Sequence, residues 1–296
     1  MAERRDRATV RRTPPVPRGL PAAGLFLWLL AGCEAPGAQP PYAEVAHEDL
    51  SESSGLATSP ARPGIWFTHN DSGGEAELFA FTLDGEVSDI HPVPGAKARD
   101  WEDMAAGPCP GARTPCLYIG DIGDNGRERK NIRVYATLVP EAGAPARVVA
   151  EWKLDYPDKK RNAETLLVDP IGGSVYIVTK DDDGEAEVYR LPEQTGKGDL
   201  IHVADLALPG SNKSERRTTA GDWHPDGDRV VVRTYTTAWE WQVDPADREA
   251  HWKRPPRRIP LPQETQGEAI AYAPDGRLVT TSEGSPMPLR FTDPGR

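Results

Sequence analysis

Glu164-Thr-Leu-Leu leads into Ser174-Val-Tyr-Ile-Val-Thr-Lys-Asp181, and this stretch decides the fold because its pattern recurs. Ser54-Gly-Leu-Ala leads to Gly64-Ile-Trp-Phe-Thr-His-Asn-Asp71, and Glu102-Asp-Met-Ala leads to Leu117-Tyr-Ile-Gly-Asp121. Thr219-Ala-Gly-Asp-Trp leads to Arg229-Val-Val-Val-Arg-Thr-Tyr235, and Glu268-Ala-Ile-Ala-Tyr leads to Arg277-Leu-Val-Thr-Thr-Ser-Glu283. The starting residues Ser54, Glu102, Glu164, Thr219 and Glu268 are spaced 48, 62, 55 and 49 apart. Self-similarity at such a period is the mark of a repeat architecture.

Four of the units continue with two further runs that read as strands. These are Ala76–Leu83 and Glu86–Val93, Asn131–Leu138 and Arg147–Tyr156, Ala186–Leu191 and His202–Leu208, and Ala238–Val243 and Arg257–Leu261. Turn signals such as Asp84-Gly85, Asp226-Gly227 and Asp275-Gly276 punctuate them. Four short strands in roughly 50 residues make one blade of a β-propeller. The sequence therefore predicts an all-β, five-bladed β-propeller of four-stranded antiparallel blades. Unit five has room for three strands, so the fourth is expected from Tyr42–Leu50. An N-terminal strand would close the ring and leave no open edge. A six-blade ring is the alternative and needs a repeat that is not visible.

Composition agrees. Of 296 residues, 30 are Pro and 28 Gly, which argues against a mostly helical protein because Pro lacks the N–H a helix interior needs. A formal net charge of −11 disfavours a nucleic-acid backbone as partner, which calls for a basic stripe. Residues 42–296 read as one propeller domain, expected to be a monomer.

The first 20 residues carry Arg4, Arg5, Arg7, Arg11, Arg12 and Arg18 against Glu3 and Asp6. The apolar run 22–32 that follows is too short to span a bilayer, which takes about 20 residues. Basic region, short apolar core and small residues form the export-signal pattern. The run ends in Leu30-Ala31-Gly32-Cys33, which resembles a bacterial lipobox. That resemblance implies cleavage before Cys33, lipidation at Cys33, a membrane attachment through that lipid, and an exported bacterial lipoprotein at the outer membrane or cell surface. Residues 1–33 are then the signal peptide and 34–41 a tether. Removing 1–33 leaves 29 basic and 44 acidic side chains of the original 35 and 46, net −15. Cys109 and Cys116 remain, flanking a Pro/Gly loop, and in an exported chain they read as a disulfide. A metal pair is the weaker reading, since no Cys or His lies nearby.

In a propeller the first strand of each blade lines the central channel, so Ser54, Glu102, Glu164, Thr219 and Glu268 should converge on one face. Three carboxylates in a narrow channel repel unless a cation or protons intervene. Calcium suits such an oxygen-rich set. A second reading leaves the glutamates as hydrogen-bond acceptors between blades.

The order Ser, Glu, Glu, Thr, Glu at successive blade starts is similar to five-bladed bacterial propellers of the SdiA-regulated type and, more distantly, to the calcium-activated nucleotidases (apyrases). The strings His69–Gly73, Asp100–Asp103 and Gly120–Asn125 also look like those of uncharacterised exported propeller lipoproteins. The resemblance covers roughly residues 50–290 and implies an axial calcium held by the five blade-start residues.

The same face is expected to carry His69, Asn70, Asp71, Asp121, Asp124, Asn125, Lys180, Asp181, Arg233 and Glu283 from second-strand ends, and Arg99 from a basic entry loop. Acidic centre and basic loops together suggest calcium plus an anionic small molecule, or a protein partner. No Gly-x-Ser-x-Gly, His-Glu-x-x-His or Walker pattern is present. Two functional readings follow: a lipid-anchored, calcium-binding module for a ligand or partner, or a calcium-dependent hydrolase of phosphate esters or anhydrides. The catalytic residues of the second are not identifiable.

Overall fold

The computed structural model describes residues 42–181 and 185–295. The expected signal peptide, Cys33 and the tether at 34–41 lie outside the described residues. After β1 (Ala43–Val45) come β2 (Ser53–Thr58), β3 (Trp66–Asn70), β4 (Glu77–Phe81) and β5 (Val87–Pro92). Next are β6 (Trp101–Pro108), β7 (Pro115–Asp121), β8 (Ile132–Leu138) and β9 (Val148–Asp155). Then follow β10 (Ala163–Val168), β11 (Val175–Thr179), β12 (Glu185–Arg190), β13 (Gly196–Asp199) and β14 (Ile201–Ala207). The last are β15 (Thr218–Trp223), β16 (Arg229–Thr234), β17 (Thr237–Gln242), β18 (Arg257–Pro260), β19 (Gly267–Tyr272), β20 (Leu278–Ser282) and β21 (Met287–Thr292). No helix among the described residues is long and apolar enough to cross a membrane.

The strands make five sheets, so the ring has five blades rather than six. Blades one to four start from β2, β6, β10 and β15 and run outward, and the fifth has the order β19-β20-β21-β1. Strand β1 pairs antiparallel with β21, Ala43 opposite Leu289, and so joins the first residues of the domain to its last blade. The innermost strands meet in cyclic order, β2 with β6, β6 with β10, β10 with β15, β15 with β19 and β19 with β2.

Alternation along the strands builds the core. Side chains of period two leave a strand on opposite faces, and each face meets a different neighbouring blade. Val230 and Val232 pack towards blade three with Trp223 and Tyr176, whereas Val231 packs towards blade five with Ile270 and Tyr272. Leu166 faces blade two and Leu167 blade four in the same way. The result is one apolar cluster at each of the five blade contacts. Trp66, Trp101 and Trp223 belong to these clusters and are buried.

Two local features complete the frame. Cys109 and Cys116 form a disulfide across the β6–β7 turn, with Cα atoms 4.9 Å apart. Blade two carries an unexpected fifth strand: β13 runs parallel to β9, Gly196 opposite Trp152. Its sequence, Gly-Lys-Gly-Asp, has no apolar alternation to announce a strand.

Candidate metal centre and ligand face

Each inner strand breaks register once, near its start, and in every blade the unpaired residue is the one expected on the ring. Ser54 falls between the pairs Ser53–Asn70 and Gly55–His69, and Glu102 between Trp101–Asp121 and Asp103–Gly120. Glu164, Thr219 and Glu268 occupy the same place in β10, β15 and β19. A bulge leaves its extra residue out of the ladder and re-aims the side chain. Five equivalent bulges therefore give five side chains a common exit at one mouth of the channel. None of the five residues is more than 5% exposed.

Around that exit the carboxylates are close enough to perturb one another. Asp71, Asp100 and Glu102 bring one carboxylate oxygen each within a mutual 4.8 Å. Gly123 forms the floor beneath two of them, since a β-carbon there would collide with Glu102 Oε1 and Asp100 Oδ2. Burial first, then the charges of Asp100, Glu164, Glu283 and Glu52, push the Asp71 carboxyl up to about 7. Burial and the charges of Glu164, Asp71 and Asp100 hold Glu102 well above the usual carboxylate range, against the opposing pull of Lys180. Asp100 is raised by burial against the nearby Arg129, with Asp121, Glu164 and Asp124 adding to the rise. Asp71 Oδ1 is buried and has no hydrogen-bond partner.

The other ring members are differently placed. Lys180 Nζ donates to Glu164 Oε2 at 2.7 Å and to Tyr235 Oη at 2.8 Å. Burial opposes the Lys180 charge, but Glu164 and Tyr235 outweigh it and hold the ammonium protonated. Asn162 Nδ2 donates to Glu164 Oε1 at 2.9 Å. The Thr219 hydroxyl donates to the Gly267 carbonyl at 3.2 Å. Burial pushes Glu268 up to about 8; Lys180 and Arg233 oppose the rise, while Glu164 and Glu283 add to it.

Beside the carboxylates lies a cavity of about 310 Å³, lined by Asn125, Gly126, Arg127, Asn162, Lys180, Arg217 and Tyr235. Its polar walls are tied together: Asn162 Nδ2 also donates to Asn125 Oδ1, 3.1 Å, and Arg127 pairs with Asp181 at 3.1 Å.

Several residues expected on this face serve the fold instead. His69 is fully buried, edge-on to Trp101 with ring centroids 5.3 Å apart. Its Nδ1–H donates to the Asn70 carbonyl, and burial lowers its pKa to about 4, so it is neutral and out of reach as a base. Arg233 is also fully buried; it pairs with Glu264 at 2.8 Å and donates to the Ala269 carbonyl at 2.7 Å. Asp121 pairs with Arg129 at 2.9 Å, and Asp124 accepts the backbone N–H groups of Glu128 and Arg129. Asn70 organises its own loop by accepting from Ser51 and Glu52 N–H and donating to the Asp49 carbonyl. Arg99 is exposed, and Glu283 accepts from Gln266 Nε2.

Asp100, Asn162, Arg127 and Tyr235 were not expected at the centre. Aligning the bulges would have found the first two. Two positions before the ring residue the blades read Glu52, Asp100, Asn162, Arg217 and Gln266, polar in every unit.

No family profile and no curated protein matches this chain. Among solved structures it is similar to a chain of the "Crystal structure of Nidogen/Laminin Complex", with a TM-score of 0.46 and 12% identity over 78% of this chain and 72% of that one. At that level the likeness adds nothing to the architecture read from the strands themselves.

Proposed function

We propose that this protein is a lipid-anchored, extracytoplasmic calcium-binding propeller whose channel mouth takes an anionic ligand or partner. In this reading Cys33 carries the lipid and residues 34–41 set the propeller off the membrane. The observation that carries the calcium assignment is the trio Asp71, Asp100 and Glu102 over Gly123, with Asp71 Oδ1 buried and unpartnered. These are hard oxygen donors, the set that calcium prefers. Bound there, the cation would supply positive charge where three like charges meet. In this reading Asp71 and Asp100 join Glu102 in place of the expected Ser54, Glu164, Thr219 and Glu268; Glu164 is held by Lys180 and Thr219 by a carbonyl.

The anion would sit in the adjoining cavity. Lys180, Arg127 and Arg217 line it, with the Tyr235 hydroxyl and two side-chain amides as further donors. These three cations replace Arg99 and Arg233 in that role. The hydrolase reading draws support from the same juxtaposition of acidic trio and cationic cavity, with Lys180 and the arginines stabilising charge on phosphate oxygens.

Calorimetric titration of the full chain, stripped of metal, tests the proposal. One calcium per chain is expected in wild type and none in Glu102→Gln, with inorganic phosphate binding weakened by about tenfold, ~1.4 kcal/mol, in Arg127→Ala/Arg217→Ala. Absence of calcium binding in wild type would overturn it.

A further inference from the structure

The far end of the axial channel has its own chemistry. There the inner strands finish, and Thr58, Gly107, Pro170, Asp222 and Tyr272, one residue from each blade, line a cavity of about 280 Å³. Its walls are largely apolar, and prolines make much of the rim. Proline has no N–H, so the rim offers an anion few donors. Arg113, exposed on the disulfide loop, is the one cation among the lining residues.

Asp222 is the one carboxylate in this lining. Its Oδ1 accepts the Trp223 N–H and its Oδ2 the Tyr272 N–H, both at 2.8 Å. Those two bonds fix the carboxylate, while each oxygen keeps a further lone pair. Asp222 is partly buried and is one of the residues that line the cavity. The other carboxylate that senses it, Asp103, is closed off: it is fully buried and accepts from the N–H groups of Met104, Leu166 and Gly221. A desolvated carboxylate in an apolar hole is poorly satisfied alone. An ammonium group on an apolar stem supplies the missing charge and fills the volume with methylenes. Burial raises the Asp222 carboxyl to about 7, as expected for a carboxylate without a charged partner.

We propose that this second mouth is a binding site for an alkylammonium group, with Asp222 as its counter-ion. The group can come from a free amine or from a lysine side chain of a partner protein, and both share the chemistry.

The test is a titration of the full chain followed by ligand-observed NMR and by tryptophan fluorescence, since Trp223 lines the cavity. The probes are butylammonium, butanol, butyrate and Nα-acetyl-lysine methylamide. Butylammonium is expected to saturate one site and to bind about tenfold or more tightly than butanol, with butyrate not binding. Equal binding of the lysine derivative assigns the site to a partner's side chain; its exclusion assigns it to a free amine. Asp222→Asn should reduce butylammonium affinity by about tenfold or more. That substitution disturbs the acceptor of two N–H groups and can fail to fold, so Arg113→Ala on the exposed loop is the second variant. Removing this like charge should tighten butylammonium binding. Preference for butyrate, no distinction between butylammonium and butanol, or weaker amine binding in Arg113→Ala would each overturn the assignment.

Discussion

Replacing Asp71 by Asn should stabilise the metal-free protein and weaken its response to calcium. In the metal-free protein Asp71 is a burden. Its carboxyl ionises near 3.8 when unfolded and near 7 when folded, because burial and four neighbouring carboxylates disfavour its charge. The folded state therefore binds more protons between those values, and stability falls as pH rises through that window. A shift from 3.8 to about 7 corresponds to about 4 kcal/mol at 1.36 kcal/mol per unit. Partial solvent contact and screening reduce this to about 2 kcal/mol. Asn removes the charge, so metal-free Asp71→Asn at pH 8 should melt about 4–8 °C above wild type, for a domain of this size. Calcium narrows the gap. At a hundredfold excess over Kd the wild type should gain about 2.7 kcal/mol, and a tenfold loss of affinity cuts that gain to about 1.4 kcal/mol. Differential scanning fluorimetry at pH 5 to 8, with chelator and with calcium, reads both effects. A variant less stable than wild type in chelator at pH 8, or one with an undiminished calcium response, would refute the reasoning.

Loss of the Cys109–Cys116 bridge in a double Ala variant should cost about 2–3 kcal/mol in urea unfolding, from the entropy of the short loop it closes; an unchanged midpoint would contradict a bridge in the purified protein. Arg233→Met should cost about 3 kcal/mol, because it leaves the buried Glu264 carboxylate to the more distant Arg290, 3.9 Å away, and Arg233→Met/Glu264→Leu should recover part of that loss. An equal or larger loss in the double variant would show that the pair is not the source. Labelled palmitate should enter the wild type in bacterial cells and not Cys33→Ser, whereas label in both or in neither would reject lipidation at that residue.

The ring was legible because each blade repeats one pattern, and the blade-start residues could be aligned without knowing any contact. The closing strand was legible too, since Tyr42–Leu50 reads as a strand that no unit claims, and β1 does pair with β21. What escaped was pairing across blades. Arg233 follows three valines and reads as a surface cation at a strand end, yet the alternation that sends Val232 one way sends Arg233 into the contact with Ala269 and Glu264. Nothing local marks Glu264 as its partner, 31 residues on. Lys180 likewise reads as a cation for an outside anion, and its first partner is the ring's own Glu164. The five bulges leave no trace in composition, although they are what turn Glu102 and its equivalents towards the channel mouth. His69 misled because it adjoins Asn70-Asp71 in sequence, whereas the alternation of β3 turns its ring inward against Trp101.

A crystal of the protein soaked in calcium, with anomalous scattering recorded at long wavelength, tests the central claim most directly. The account predicts a single strong peak over Gly123, in contact with carboxylate oxygens of Asp71, Asp100 and Glu102, while Lys180 stays on Glu164. No peak at that place, or a peak on the channel axis between Glu164 and Glu268 with Lys180 displaced, would contradict it.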